Sequence, residues 1–249
     1  LNNRITGSFE YFHKVVSDLL AFRKLNSLME VSTIADNIGA TQSTGYEFSL
    51  NTVNLTGPFK WNTTLNISSY NDRWKERNPD VVLAPYEKED APIRAIYGCV
   101  SDGILQIGET PPASMPDLLP GQMKVKDLNG FDPNDGSKLL GHPDGKIDAA
   151  DRIYLGSTDP KVIIGFGNMF EYKNFDLNIF FYGMFGQYVA NSNRAKYGPS
   201  GCEYILQRQN YSKEVLERWT PDNPTNKFPS GFYSAYYGGD DWLLEKVSF

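Results

Sequence analysis

Two runs of alternating apolar and polar residues, joined by a tight turn, constrain the fold of this chain most strongly. The runs cover 46–51 and 59–68, and Leu55-Thr56-Gly57-Pro58 separates them. A strand repeats its side-chain direction every two residues, so each run has an apolar and a polar face. The polar face consists almost entirely of Asn, Ser, Thr and Glu. This pattern indicates a transmembrane β-barrel hairpin with an apolar exterior and a watery lumen.

A second hairpin repeats this design. Its runs cover 162–167 and 175–183 and are joined through Tyr172-Lys173-Asn174, and an earlier strand is predicted at about 4–12. Each run has about ten residues, the span of a tilted membrane strand. Aromatic residues gather toward the ends of the runs, as interfacial aromatic girdles require. The expected membrane-facing side chains are Tyr46, Phe48, Leu50, Trp61, Leu65, Ile67, Leu177, Ile179 and Phe181.

The connections differ greatly in length. Two connections are short. Three are long and cover residues 13–40, 72–160 (with a strand expected around 93–106) and 187–240. Such loops are uncommon in compact soluble domains. In outer-membrane barrels, short turns face the periplasm and long loops face outside. We therefore predict an all-β chain, an antiparallel meander from a transmembrane β-barrel with long extracellular loops. The apolar spacing of residues 13–29 is nearly helical. Two structures are therefore possible for this segment, a short amphipathic helix or an extended strand.

Composition excludes several classes of protein. The net charge of −6 argues against nucleic-acid binding, which needs clustered Lys and Arg. No apolar stretch approaches the roughly 20 residues of a spanning helix. With two histidines, a Ser-His-Asp or Cys-His unit is poorly supported, and we expect no enzyme. Cys99 and Cys202 either pair in an oxidising setting or remain thiols.

Short motifs in a fixed order resemble a known family. The motifs are Gly7-Ser8-Phe9-Glu10-Tyr11-Phe12, Asp18-Leu19-Leu20, Asn37-Ile38-Gly39-Ala40, Thr44-Gly45-Tyr46-Glu47-Phe48, Pro92-Ile93, Tyr97-Gly98, Asp102-Gly103-Ile104, Pro120-Gly121, Asp127-Leu128-Asn129-Gly130, Asp144-Gly145-Lys146-Ile147-Asp148, Asp151-Arg152, Gly156 before Pro160, Glu217-Arg218-Trp219-Thr220-Pro221, Asn223-Pro224-Thr225, Trp242-Leu243 and Ser248-Phe249. Together they resemble the C-terminal third of SusC/RagA-type TonB-dependent outer-membrane receptors.

The resemblance implies that residues 1–249 are an incomplete C-terminal part of a plugged barrel of about 22 strands. The whole protein would import oligosaccharide or peptide across the bacterial outer membrane, with energy from the TonB complex. A SusD-like surface lipoprotein would cap its outer mouth. We expect the plug and the remaining strands to lie outside this fragment, so the fragment alone should not transport.

An acidic motif predicts a calcium loop split by an insertion. Removing 131–143 leaves D-L-N-G-D-G-K-I-D-A-A-D, which matches the ligand spacing of an EF-hand loop. The candidate metal residues are Asp127, Asn129, Asp144, Lys146 (through its carbonyl), Asp148 and Asp151. Asp in place of Glu at the last position shortens its reach. The alternative is a loop built of Asx turns without metal. If calcium binds, we expect it to stiffen an extracellular loop.

Trp219 and Asn223 are candidate ligand-binding residues, because an exposed aromatic ring beside an amide can stack on a sugar. The alternative is a Pro-rich loop folded onto its own Trp. For the whole chain, the runner-up is a secreted calcium-stabilised carbohydrate-binding β-sandwich. A glycosidase using Glu203 and Asp240-Asp241 is a more distant alternative, since adjacent Asp residues usually form solvated turns.

Overall fold

The computed structural model describes residues 4–24, 33–37, 39–79, 81–191, 193–194, 198, 210–231 and 244–248. Its main element is a six-stranded antiparallel sheet in the order β1-β4-β5-β12-β13-β14. The strands of this sheet are β1 Ile5–Val16, β4 Ala40–Thr56, β5 Phe59–Glu76, β12 Val162–Tyr172, β13 Phe175–Ala190 and β14 Leu244–Ser248. Each strand therefore lies beside the previous and next members of the sheet along the chain, as in the predicted meander.

Both predicted hairpins are confirmed. In the first, Phe48 lies opposite Ile67 and Leu50 opposite Leu65. In the second, Phe166 lies opposite Phe181. Because directly paired residues point to the same side of a sheet, the apolar members of all these strands share one face. The alternating pattern in the sequence thus sets the register of the six-stranded sheet.

Strands β1, β4, β5 and β13 extend beyond the predicted runs at the end away from the short turns, whereas β12 extends toward its short turn. β1 continues to Val16, and β4 and β5 have 17 and 18 residues. Beyond β1, β2 (Leu20–Lys24) pairs with β3 (Thr33–Asn37), so the extended alternative holds for the described part of 13–29. The extra residues pair above the apolar band, where the alternating pattern ends. Periodicity therefore predicted the band but underestimated the strand length.

A layer of small two-stranded sheets fills the long connection between β5 and β12. β6 (Ala95–Gly98) pairs with β11 (Ile153–Ser157), β7 (Ser101–Ile104) with β8 (Met123–Val125), and β9 (Phe131–Asp132) with β10 (Asp135–Leu139). The strand expected around 93–106 is therefore two strands. A buried hydrophobic cluster holds this layer together. Its members are Cys99, Leu105, Met115, Leu118 and Val125, with Ile147 packed against them.

No second described sheet covers the apolar face of the six-stranded sheet. Phe181 is 61% exposed and Leu177 is 56% exposed on that face. A β-sandwich buries such side chains between two sheets, so the sandwich alternative is wrong for the part of the chain that the structure describes. In the same part, no helix has the length and apolar character needed to cross a membrane. Cys202, Glu203, Asp240-Asp241 and Trp242-Leu243 lie outside the described residues.

Candidate functional site: a membrane-facing wall and an acidic loop

Two aromatic girdles border the apolar face. Near the short turns, the ring of Phe59 stacks with Phe170, and Tyr172 lies at 6.5 Å from Phe59. At the other border lie Tyr11 and Tyr46, with ring centroids 5.2 Å apart. Along β13, Phe175 and Phe185 mark the two borders. The ten residue steps between them span about 26 Å across a bilayer at a strand tilt of about 40°. That distance matches the roughly 25 Å apolar band of outer-membrane barrels.

Apolar side chains fill the band between the girdles. One cross-strand row contains Leu50, Leu65, Phe166 and Phe181, and the next contains Phe48, Ile67 and Ile164. Phe166 and Phe181 stack with ring centroids 6.5 Å apart. This apolar surface suits contact with lipid chains.

A chain of polar side chains interrupts the apolar face about two rows from the short turns. The Trp61 Nε1 and Thr63 Oγ1 groups both donate to Asn168 Oδ1, at 2.9 and 2.8 Å. Asn54 Nδ2 donates to Thr63 Oγ1, and Thr52 Oγ1 donates to Asn54 Oδ1. We name these five residues the polar seam. Periodicity places these residues on the apolar face but does not predict their hydrogen bonds, because the bonds depend on which strands pair and in which register.

The opposite face carries polar pairs. Ser49 Oγ donates to Asn66 Oδ1 at 2.9 Å, and Thr64 Oγ1 donates to Asn51 Oδ1 at 3.0 Å. Nearer the short turns, Lys60 Nζ lies 2.7 Å from Glu171 Oε2. These contacts between adjacent strands are consistent with a water-facing surface, where charged groups keep their hydration.

The two halves of the acidic motif lie on either side of the insertion 131–143. The insertion 131–143 contains the hairpin β9–β10, and Asp144 packs against Gly130 so closely that a Cβ on that glycine would clash with it. Asp127 Oδ2 accepts a hydrogen bond from Gly145 N at 2.8 Å. The other carboxylate oxygen, Asp127 Oδ1, is buried and has no hydrogen-bond partner. The structure therefore brings both halves of the motif together and leaves one carboxylate oxygen unsatisfied.

The other motif residues bind the backbone. Asp151 is fully buried, and its carboxylate accepts bonds from the amides of Leu128, Asn129 and Asp148. Asp144 and Asp148 each accept a bond from the amide two residues ahead. Asn129 Oδ1 accepts bonds from Gly130 and Gly141, while Lys146 is exposed. Among the described residues, no three His, Cys, Asp or Glu side chains converge as metal ligands.

Trp219 lies inside the loop layer. It is 5% exposed, its indole Nε1 donates to Gln106 Oε1 at 2.8 Å, and its ring packs on Gly121, whose φ is +89°. Asn223 is exposed, and its Nδ2 donates to the carbonyl of Arg218. This geometry fits the alternative of a loop folded onto its own Trp. Ring stacking on a ligand would require Trp219 to leave these contacts.

Two curated proteins match this chain over all or nearly all of its length. It is 30% identical over its full length to TonB-dependent receptor P3 of Formosa agariphila, and 30% identical over 92% of its length to TonB-dependent receptor P26 of the same species. The resemblance seen in the motifs is confirmed. The chain spans about a quarter of the length of these curated relatives (25% and 23%). No protein-family model matches it.

Solved structures support the fold. The RagAB peptide transporter matches 99% of the chain with a TM-score of 0.71 and 18% identity, covering 26% of that protein. The RagAB peptide importer in its "open-open" state matches with a TM-score of 0.70 and 17% identity. The two curated relatives are named as receptors, which agrees with the expectation that the chain is not an enzyme. The all-β antiparallel fold of a TonB-dependent receptor is thus established for the fragment.

Proposed function

We propose that this chain forms part of the barrel wall of a bacterial outer-membrane importer energised by TonB. The observation that carries this proposal is the uncovered apolar face between two aromatic girdles about 26 Å apart. A surface of that height is stable only against hydrocarbon, because in water it would drive aggregation. The polar face of the same sheet then lines the aqueous lumen.

The imported nutrient is an oligosaccharide or a peptide, and a SusD-like lipoprotein assists its capture. The similarity to the RagAB peptide transporter supports a two-component importer of this kind. The layer of small two-stranded sheets between β5 and β12 lies at the end of the wall away from the short turns. This layer therefore faces the outside, where a surface lipoprotein can reach it.

Deleting the gene of the full-length receptor tests this function. We expect the parent protein in the outer-membrane fraction and uptake of a labelled oligosaccharide or peptide that is lost on deletion and on disabling TonB. Affinity purification of the parent should also recover a surface lipoprotein. Uptake that survives both changes would contradict the proposal, as would a receptor found only in a soluble fraction.

We also propose that the acidic loop binds calcium. The buried, unpartnered Oδ1 of Asp127 supports this, because a desolvated carboxylate oxygen needs a cation or a donor. Asp127, Asn129 and Asp144 would supply hard oxygen ligands, with the carbonyl of Lys146 and the carboxylates of Asp148 and Asp151 as further candidates. A bound ion would tie the base of the β9–β10 hairpin to the rest of the layer.

Titration calorimetry of the full-length receptor with calcium tests the site. The parent and the control Asp102→Ala, which changes an exposed residue outside the loop, should release heat. Asp127→Ala and Asp144→Ala should remove it. If the parent releases no heat, the calcium proposal is wrong and the loop is held by its Asx turns alone.

A further inference from the structure

Residues 210–231 belong to the connection between β13 and β14, and we call them the strap. The strap contains one short 3₁₀ helix, Lys213–Glu217, and closes on itself through a hydrogen bond from the Trp219 amide to the Phe228 carbonyl at 2.9 Å. Both aromatic residues are buried. A segment with so little secondary structure depends on other parts of the chain to bury two large rings.

Gln106, in the connection between β5 and β12, holds the strap through its side chain. Its Oε1 atom accepts the bond from the Trp219 indole at 2.8 Å, and its Nε2 atom donates to the carbonyl oxygens of Ile104 at 3.0 Å and Thr225 at 3.4 Å. One side-chain amide therefore bonds to both connections. Its backbone is fixed as well, because the Gln106 amide donates to Glu109 Oε2 at 2.9 Å. We call Gln106 the first anchor of the strap.

Two further bonds join the strap to the residues around the β7–β8 sheet. The Ile104 amide donates to Asn226 Oδ1 at 3.0 Å, and the Ser230 amide donates to the Gly121 carbonyl at 2.7 Å. The ring of Trp219 lies so close to Gly121 that a Cβ on this glycine would clash with it. The two strands of this sheet have only four and three residues, and so small a two-stranded sheet is marginally stable alone. The sheet and the strap therefore depend on each other for their burial.

Arg194 holds the strap at the wall and is its second anchor. This residue follows β13, and its guanidinium lies 2.9 Å from Glu245 of β14 and 3.1 Å from Glu214 of the strap. The same group lies over the ring of Phe228, 5.9 Å from the ring centroid. On the wall, Asn191 Nδ2 donates to the Glu245 carboxylate at 2.8 Å. One guanidinium thus joins the ends of two wall strands to the strap.

We propose that the strap makes the connections between β5 and β12 and between β13 and β14 a single cooperative unit. The small sheet and the strap bury residues against each other, and parts that depend on the same contacts open together. The anchors form a continuous network from Glu245 on the wall, through Arg194 and the strap, to Gln106. A molecule that displaces one connection therefore displaces the other. The proposal concerns movement at this end of the wall and goes beyond the import function.

Hydrogen exchange of the full-length receptor in detergent, followed by mass spectrometry, tests the proposal. Two amides report on the separate parts. The Leu105 amide bonds to the Gln122 carbonyl within the connection between β5 and β12, and the Trp219 amide bonds to the Phe228 carbonyl within the strap. In the parent, we expect the two amides to have the same protection factor, because they exchange through the same opening.

Variants at the two anchors test the coupling. Gln106→Met and Arg194→Met should each speed exchange by about tenfold at both the Leu105 and the Trp219 amide, because each removes hydrogen bonds that hold the closed unit. Asn223→Ala and Arg218→Met are the matched controls, since these side chains donate to carbonyls within the strap. Both controls should leave the exchange of the Leu105 amide unchanged.

Three results would overturn the proposal. In the first, Arg194→Met speeds exchange at the Trp219 amide but not at the Leu105 amide, which means that the two connections open separately. In the second, neither anchor variant changes the exchange of either amide. In the third, the two protection factors of the parent differ by more than about tenfold. The comparison within the parent decides the question even if a variant fails to assemble.

Discussion

Replacing Phe181 by Arg tests which face of the wall contacts lipid. Phe181 lies six residues from Phe175 and four from Phe185 on β13. With a strand rise of about 3.4 Å and a tilt of about 40°, these steps correspond to depths of about 16 and 10 Å from the two girdles. Phe181 therefore lies about 3 Å from the middle of the band.

The expected cost follows from this depth. An arginine on the lipid face near the midplane of a barrel costs about 2–4 kcal/mol. The substitution also removes the stacked contact between Phe166 and Phe181, which contributes about 0.5–1.5 kcal/mol. We therefore expect a loss of about 2.5–5.5 kcal/mol in the free energy of unfolding. The matched change is Tyr182→Arg at the next residue, which lies on the water-facing side of the sheet. It should lower the free energy of unfolding by less than about 1 kcal/mol.

Urea unfolding of the full-length receptor in phospholipid vesicles measures both values. Intrinsic fluorescence reports the transition, and the fraction assembled in the membrane is compared for the two variants before unfolding. Equal losses for the two variants, or a larger loss for Tyr182→Arg, would refute the assignment of the apolar face to lipid. The refutation would extend to the proposed barrel wall, because both depend on the same orientation.

Three further predictions concern packing. Asn168→Ala should cost about 1–2 kcal/mol in the same urea assay, because Trp61 and Thr63 lose their acceptor, whereas Asn178→Ala on the polar face should be nearly neutral; equal costs would contradict the role of the polar seam. Asp151→Asn should cost about 2–3 kcal/mol, and hydrogen exchange should accelerate at the amides of Leu128 and Asn129; unchanged exchange there would contradict the role of the carboxylate. Trp219→Phe should lower the free energy of unfolding by about 1 kcal/mol, because it removes the hydrogen bond to Gln106. Thermal unfolding measures this loss, and an unchanged melting temperature would contradict it.

The alternating pattern determined the wall because strand periodicity is local. The side-chain direction at Phe48 or Phe181 follows from counting in steps of two, and the short turns at 55–58 and 172–174 bring the runs together as antiparallel pairs. The order of motifs likewise indicated the family before any coordinates. Removing 131–143 from the sequence also places Gly130 next to Asp144, and these residues lie close together in the structure, while the calcium site stays a prediction.

Strand length was less predictable. β4 and β5 continue for several residues beyond their apolar segments, and there the pairing is maintained by backbone bonds between residues of mixed polarity. Backbone pairing requires no particular side-chain pattern, so periodicity has no signal for where such a strand ends.

Sequence alone thus determined the strand faces, the hairpins and the family, because each depends on neighbours along the chain. Tertiary structure decided the polar seam and the burial of Trp219. In each of these, the deciding contact joins residues from different parts of the chain: Asn168 meets Trp61, and Trp219 meets Gln106. Such contacts depend on which strands become neighbours and on loop packing, and neither leaves a periodic trace in the sequence.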